Sequence, residues 1–208
     1  MNKSDLCAAF ISISHVMDEN KDYLISLDQQ NGDGDLGISM SDGYRAVKAY
    51  LAAAEETDLG RLLMKSAMVF NEAAPSSLGT ITSFWLLGMA RSLKGKTEAT
   101  LCEFADALTA GVQEIMAKAS SKPGEKTILD ALWPAAAALK ANCTQCAALA
   151  FQTACAAAHA GSESTRAMRS VHGRAAYYGD KSIGLLDGGS VVGELIFKGV
   201  LQSIQQKP

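Results

Sequence analysis

Apolar residues return at every third or fourth position through most of this chain, and that period restricts it to packed helices. Leu6, Phe10, Ile13 and Met17 form one stripe, and Met40, Tyr44, Val47 and Leu51 a second. Leu63, Ala67 and Phe70 repeat the spacing, as do Leu101, Phe104, Leu108, Val112 and Ile115. Each stripe is one face of an amphipathic helix that must be buried against others. Alanine supplies 34 of the 208 residues, which favours helix and lets helix axes approach closely. No segment sustains an alternation of β-branched residues, so a sheet has little support.

Four interruptions stand out between the stripes: residues 28–37 (DQQNGDGDLG), 72–79 (EAAPSSLG), 120–125 (SSKPGE) and 180–190 (DKSIGLLDGGS). Ser4 with Asp5, Asp58, and Thr97 followed by Glu98 read as helix starts, and Pro134 as a kink or a new start. The reading is about eight helices of roughly ten to twenty residues with no dividing linker. The expected fold is all-α, one domain over residues 1–208, a bundle or closed barrel of antiparallel amphipathic helices.

Composition excludes several classes. With 48 % apolar and 20 % charged residues the chain is neither a disordered tail nor a coiled-coil rod. A net charge of −3 with no basic run excludes a nucleic-acid partner on electrostatic grounds. No apolar stretch reaches the roughly 20 residues that span a bilayer, and the N-terminal segment lacks the basic start and cleavage site of a signal peptide. A cytoplasmic location is expected. Five cysteines at irregular spacing do not form a secreted disulfide framework. Cys143 and Cys146 have CxxC spacing, but lie in an alanine-rich run without a second pair, and read as ordinary helix cysteines.

The interruptions carry the chemistry. Asp28, Asp33 and Asp35 place three carboxylates within eight residues, where they repel unless a cation lies between them. Oxygen ligands on a glycine turn suit a hard ion, Mg²⁺ or Ca²⁺. A calcium EF-hand register fails at its sixth position, occupied by Leu36, and at its twelfth, occupied by Asp42. The competing reading is a solvated turn that caps the next helix. Ser76 and Ser77 precede the apolar run ITSFWLLGMA, as an anion site or as ordinary capping. Lys126 and Thr127 can face a phosphate, or Thr127 can cap the following helix. Arg174 lies in a glycine-rich stretch that ends in Asp187-Gly188-Gly189, and its guanidinium can fork onto phosphate oxygens. His15, His159 and His172 read as non-catalytic.

Taken in order, the pattern LDxxxGDGDxG at residues 27–37, PGEKTxLDAL at 123–132 and GRAxYxGxxSIGxxDxG at 173–189 resembles the nucleotide-binding L subunit of dihydroxyacetone kinases. The resemblance extends over essentially the whole chain. It implies a barrel of eight antiparallel helices with the nucleotide at one rim. It implies that Asp28, Asp33 and Asp35 hold two Mg²⁺ ions on the phosphates of ATP or ADP. Leu36, Gly37, Ile38 and Ser39, with Ser76 and Ser77, would surround those phosphates, and Ile128 would lie near the base or ribose. Arg174, Asp187, Gly188 and Gly189 would close the site.

The resemblance further implies a partner, a ketose-binding K subunit that carries dihydroxyacetone on a histidine. Phosphate would come from exchangeable ATP or, through bound ADP, from a phosphotransferase-system protein. The departures in the loops lean toward ATP. Those departures are Leu36 where most of the family has histidine, Ala-Ala-Pro-Ser-Ser-Leu-Gly in place of a glycine-rich loop, and Gly188 in place of proline. They suggest a branch serving dihydroxyacetone or a related ketose. The alternative is an L-like regulatory or fatty-acid-kinase-type module without ketose kinase activity.

Overall fold

The computed structural model describes residues 1–206. Among them lie nine α-helices: α1 (Lys3–Glu19), α2 (Lys21–Asp28), α3 (Leu36–Ala53), α4 (Leu59–Ala73), α5 (Ser77–Ser92), α6 (Leu101–Ala119), α7 (Leu129–Ala141), α8 (Ala147–Ser164) and α9 (Gly188–Gln205). Two 3₁₀ segments, Thr165–Ala167 and Arg174–Ser182, occupy the connection between α8 and α9. No strand is present among the described residues, and none of the helices is long and apolar enough to cross a membrane.

Eight of the helices close into a ring. Each of α3 to α8 packs on its successor, and α1 closes the circle against both α9 and α3. The short α2 rides on α3 and α9 as an extension of α1, from which Asn20 separates it. The all-α expectation of a bundle or closed barrel of about eight helices is met. The ring alternates direction. The starts of α4 and α6 share one end with the start of α1, where Leu59 N–H bonds Lys96 O and Ala99 N–H bonds Met1 O. The starts of α3, α5 and α9 lie together at the other end.

Local signals set the helix boundaries. Asn2 caps α1 and exchanges hydrogen bonds with Asp5, so Asp5 belongs to a capping box one turn inside the helix. Asp58 caps α4 as the sequence suggests. α6 starts at a Thr100–Glu103 capping box rather than at Thr97, because residues 93–98 turn back toward the N-terminus, where Glu98 bridges to Asn2. α7 runs through Pro134, which is therefore not a new helix start. Proline removes the N–H that would reach the carbonyl of Asp130. That carbonyl instead abuts Gly161 of α8, where a Cβ would lie only 2.0 Å from it.

The stripes read from sequence point inward. Tyr44 and Phe70 pack edge to face with centroids 4.9 Å apart, and Phe10 adjoins Tyr44 at 6.1 Å. Each such side chain, fully buried, contributes about 1.5–3 kcal/mol. Inside the barrel an apolar cavity of about 30 Å³ lies beside Phe10, Trp85, Phe104 and Phe197. One cysteine expectation is corrected. Cys143 lies in the loop after α7 and is disulfide-bonded to Cys102 of α6, 41 residues away, with Cα atoms 4.8 Å apart. Lateral packing of α6 on α7 brings the two together, which no local spacing announces. Cys7, Cys146 and Cys155 remain free thiols.

Candidate nucleotide and metal site

The acidic loop lies between α2 and α3 and is organised by its first carboxylate. Asp28 Oδ2 accepts the Gly34 N–H at 2.7 Å, while Asp28 O accepts Gly32 N–H at 2.5 Å. Gly34 has φ +79, in the left-handed region open to glycine, so the chain can reverse between Asp33 and Asp35. Asp35 stands at the N-cap of α3 without using its side chain as a cap. One oxygen from each of Asp28, Asp33 and Asp35 lies within 4.8 Å of the others. Loss of hydration pushes the Asp35 carboxyl above its ordinary range, Asp33 and Asp28 push it further, and Arg174 pulls it back. Arg174 forms an ion pair with Asp33. Three clustered, oxygen-only ligands fit a hard divalent cation such as Mg²⁺.

Opposite this cluster, Ser76 caps α5, its Oγ accepting Gly79 N–H at 3.1 Å. Asp187 caps α9, with Oδ2 accepting Ser190 N–H at 2.6 Å and its own N–H donating to Thr165 Oγ1 at 3.1 Å. Burial pushes the Asp187 carboxyl up to about 7, with Asp130 and Asp28 adding to the rise while the Ser190 N–H and the Lys126 charge oppose it. Three helix starts thus converge on one place. The leading N–H groups of a helix lack partners within it and favour anions.

Together these elements enclose a cleft of about 600 Å³. Its walls include Asp28, Asp33, Asp35 and Leu36 from the first loop, Ser76 and Ser77 from the second, and Arg174, Asp187, Gly188 and Gly189 from the last. Four other residues singled out from sequence do not line it. Ile38 is exposed on the surface, and Ser39 is buried in α3. Gly37 faces α2, where a Cβ would meet Lys21 O at 2.1 Å. Ile128 is buried against Gly189 and Gly193, beneath the cleft rather than on its wall.

The Lys126 reading is corrected. Its ammonium is buried and donates to the carbonyls of Met168 at 3.2 Å and of Ser182 and Leu185 at 2.6 Å. It is a brace for the 168–185 segment and does not line the cleft. Thr127 Oγ1 accepts Leu129 N–H at 3.2 Å, the capping role, while Asp130 accepts the Gly124 and Thr127 N–H groups. Asn31, Gly32, Pro75, Leu78, Thr80, Gly173 and Ala175, not singled out from sequence, also line the cleft, as does His172, which the sequence reads as non-catalytic. Only their place beside singled-out residues could have flagged them. Leu36 and Gly188 are neighbours: a Cβ at Gly188 would lie 2.5 Å from Leu36 Cδ2. The bulkier residue at one position matches the smaller at the other.

Residues 30–202 match the family described as the DAK2 domain. A Listeria innocua protein named PEP-dependent dihydroxyacetone kinase 2, ADP-binding subunit DhaL, is 28 % identical over 194 residues, covering 92 % of this chain and 90 % of that protein. Human triokinase/FMN cyclase is 30 % identical over 188 residues, 89 % of this chain but 32 % of that protein. The crystal structure of dihydroxyacetone kinase from C. freundii in complex with AMP-PNP and Mg²⁺ superposes with a TM-score of 0.75 at 22 % identity. It covers 95 % of this chain, which spans about a third of that kinase, 33 %. That likeness concerns the fold.

Proposed function

The chain belongs to the DAK2 domain family, and on that premise we propose that it is the nucleotide-binding subunit of a ketose kinase, a phosphotransferase whose residues 1–208 form one domain. The observation that carries this reading is the convergence of three carboxylates, Arg174 and three helix starts on one cleft. Asp28, Asp33 and Asp35 would hold Mg²⁺, in the resemblance two ions, on the phosphates of ATP or ADP. Bound there, Mg²⁺ supplies neutralisation of the charge that builds up along the phosphate chain during transfer.

The chain's own groups do the rest. The first residues of α5 and α9 line the cleft, where their amides would meet phosphate oxygens, and Ser76 and Ser77 would add small polar groups that allow close approach. Arg174, now paired with Asp33, is exposed and can fork onto a phosphate once a cation takes over the carboxylates. Leu36 against Gly188 supplies an apolar patch that keeps water from part of the wall. The acceptor is dihydroxyacetone or a related ketose carried by a partner K subunit, which would cover the open rim and exclude water.

A relative that matches in length is named an ADP-binding subunit of a PEP-dependent dihydroxyacetone kinase. That name favours bound ADP recharged by a phosphotransferase-system protein over the ATP that the loop departures suggested. The distinguishing assay is retention: ADP that survives dialysis supports the first route, and free exchange with ATP the second.

The test of the site is a thermal-shift titration of metal-stripped protein with ADP or ATP, with and without Mg²⁺, beside Asp33→Asn. A Mg²⁺-dependent rise that is lost in the variant is expected; at a ligand concentration 100 times Kd it corresponds to about 2.7 kcal/mol. No rise in the wild-type protein would refute the proposal.

A further inference from the structure

His172 sits on the cleft wall beside Gly173 and Arg174, in the connection that follows the first 3₁₀ segment. Its Nε2 is 2.6 Å from Oε2 of Glu125. That carboxylate is fixed in turn, since the same oxygen accepts the Lys122 backbone N–H at 2.9 Å. Lys126, the next residue, is tied to carbonyls on both sides of the His172 segment, at Met168 and Ser182. The imidazole is therefore oriented from a braced base although no helix carries it.

A hydrogen bond to a carboxylate puts the proton on Nε2 and leaves Nδ1 as the ring's other functional atom. Glu125 is held below the usual carboxylate range, chiefly by this bond to His172 and next by the Lys122 N–H, so it stays an acceptor. His172 and Gly173 both line the cleft, and the cleft is open at the second of them, where a Cβ would meet nothing within 4 Å. A neutral imidazole with Nε2–H engaged offers a lone pair at Nδ1. On a nucleotide the groups that donate to a lone pair are the ribose hydroxyls and the exocyclic amine of the base. Phosphate oxygens at neutral pH are acceptors, and the cleft already supplies Arg174 and helix amides for them.

Resting on the nucleotide reading above, we propose that His172 contacts the nucleoside half of the bound nucleotide through Nδ1, with Glu125 as its positioning residue. This gives the cleft a polar group that reads the sugar or base, separate from the groups that hold phosphate and metal.

The test is isothermal titration of wild type, His172→Ala, His172→Asn and Glu125→Gln with Mg-ADP and with Mg-pyrophosphate, the second probe lacking a nucleoside. His172→Ala is expected to raise the Kd for Mg-ADP about tenfold, the size of one lost hydrogen bond. Binding of pyrophosphate should stay within about twofold. Asparagine places an amide near the position of Nδ1 and should recover part of the loss, and Glu125→Gln should show a smaller loss than alanine at 172. Unchanged Mg-ADP affinity in His172→Ala, with only a lower melting temperature, would reduce the pair to a tether and overturn the proposal. Equal losses for both probes would place the contact on phosphate and also overturn it. A wild-type protein that binds pyrophosphate but not ADP defeats this inference while leaving the metal site; one that binds neither defeats the functional reading itself.

Discussion

Lys126→Met separates two roles for a lysine in a phosphate-like motif. In the folded chain the ammonium donates three hydrogen bonds to main-chain carbonyls at 2.6–3.2 Å, and burial lowers its pKa. Charge-assisted hydrogen bonds contribute roughly 1.5–3 kcal/mol each, and methionine would leave three carbonyls without that donor. Removing a buried ammonium recovers part of its dehydration cost, so the net loss is about 2–4 kcal/mol. For a chain of this length each kcal/mol corresponds to about 2–4 °C, which predicts a melting temperature lower by roughly 5–15 °C. Differential scanning calorimetry of metal-free protein measures it. Mg-ADP affinity should fall less, and only through the loosened 168–185 segment. A melting temperature within about 1 °C of wild type, accompanied by a tenfold loss of affinity, would refute the brace and restore Lys126 to the phosphates.

The other predictions draw on separate parts of the molecule. Asp187, pushed up to about 7 from 3.8, binds its proton more tightly folded than unfolded. Its stabilising contribution is thus full below the unfolded value and is lost as pH rises through about 7, so metal-free wild type should lose stability between about pH 4 and 7 relative to Asp187→Asn. Parallel melting curves across that range would contradict the shift. Glu103, lowered to about 2 by Lys96 and the Thr100 cap, acts in the opposite sense, and its contribution disappears as pH falls from 4.5 toward 2. Glu103→Gln should flatten that acid limb in urea denaturation. Gly161→Ala would drive a methyl into Asp130 O, forcing α7 and α8 apart at a cost of about 1–3 kcal/mol, readable as a lower urea midpoint. Opening the Cys102–Cys143 bridge, whose partners are 41 residues apart, should cost up to about 4 kcal/mol. Reductant should then lower the melting temperature of wild type and leave a Cys102→Ser, Cys143→Ser double variant unmoved.

Much of the fold was legible because helices announce themselves locally. The spacing of Met40, Tyr44, Val47 and Leu51 marks the buried face of α3, and Asp58 marks the start of α4. Local rules misled where a distant contact outweighed them. Thr97 yielded the start of α6 to Thr100 because residues 93–98 bond back to the N-terminus and to α4. Pro134 did not start a new helix, and the Asp130 carbonyl it leaves without a helical partner lies close against Gly161 of α8.

The site shows the same division. Asp28, Asp33 and Asp35 could be read from sequence, because carboxylates alternating with glycines within eight residues have few uses other than a cation or a solvated turn. Their meeting with Ser76, Arg174 and Asp187 depended on the order of three motifs, and the barrel brings those loops to one rim. Lys126 and His172 could not be assigned from sequence, since a lysine before a threonine and a histidine before a glycine look alike whether they face a ligand or a carbonyl. Their partners at Ser182, Leu185 and Glu125 lie 56, 59 and 47 residues away.

Periodicity and composition by themselves determined an all-α chain with an acidic, glycine-bearing loop, because both depend on neighbours three or four residues apart. Which end of each helix faces the cleft, which lysine is a brace, and which cysteines join were decided by closing the ring. A closed ring fixes contacts between residues far apart in the chain, and hydrogen-bonding partners at that range leave no period in a sequence to read.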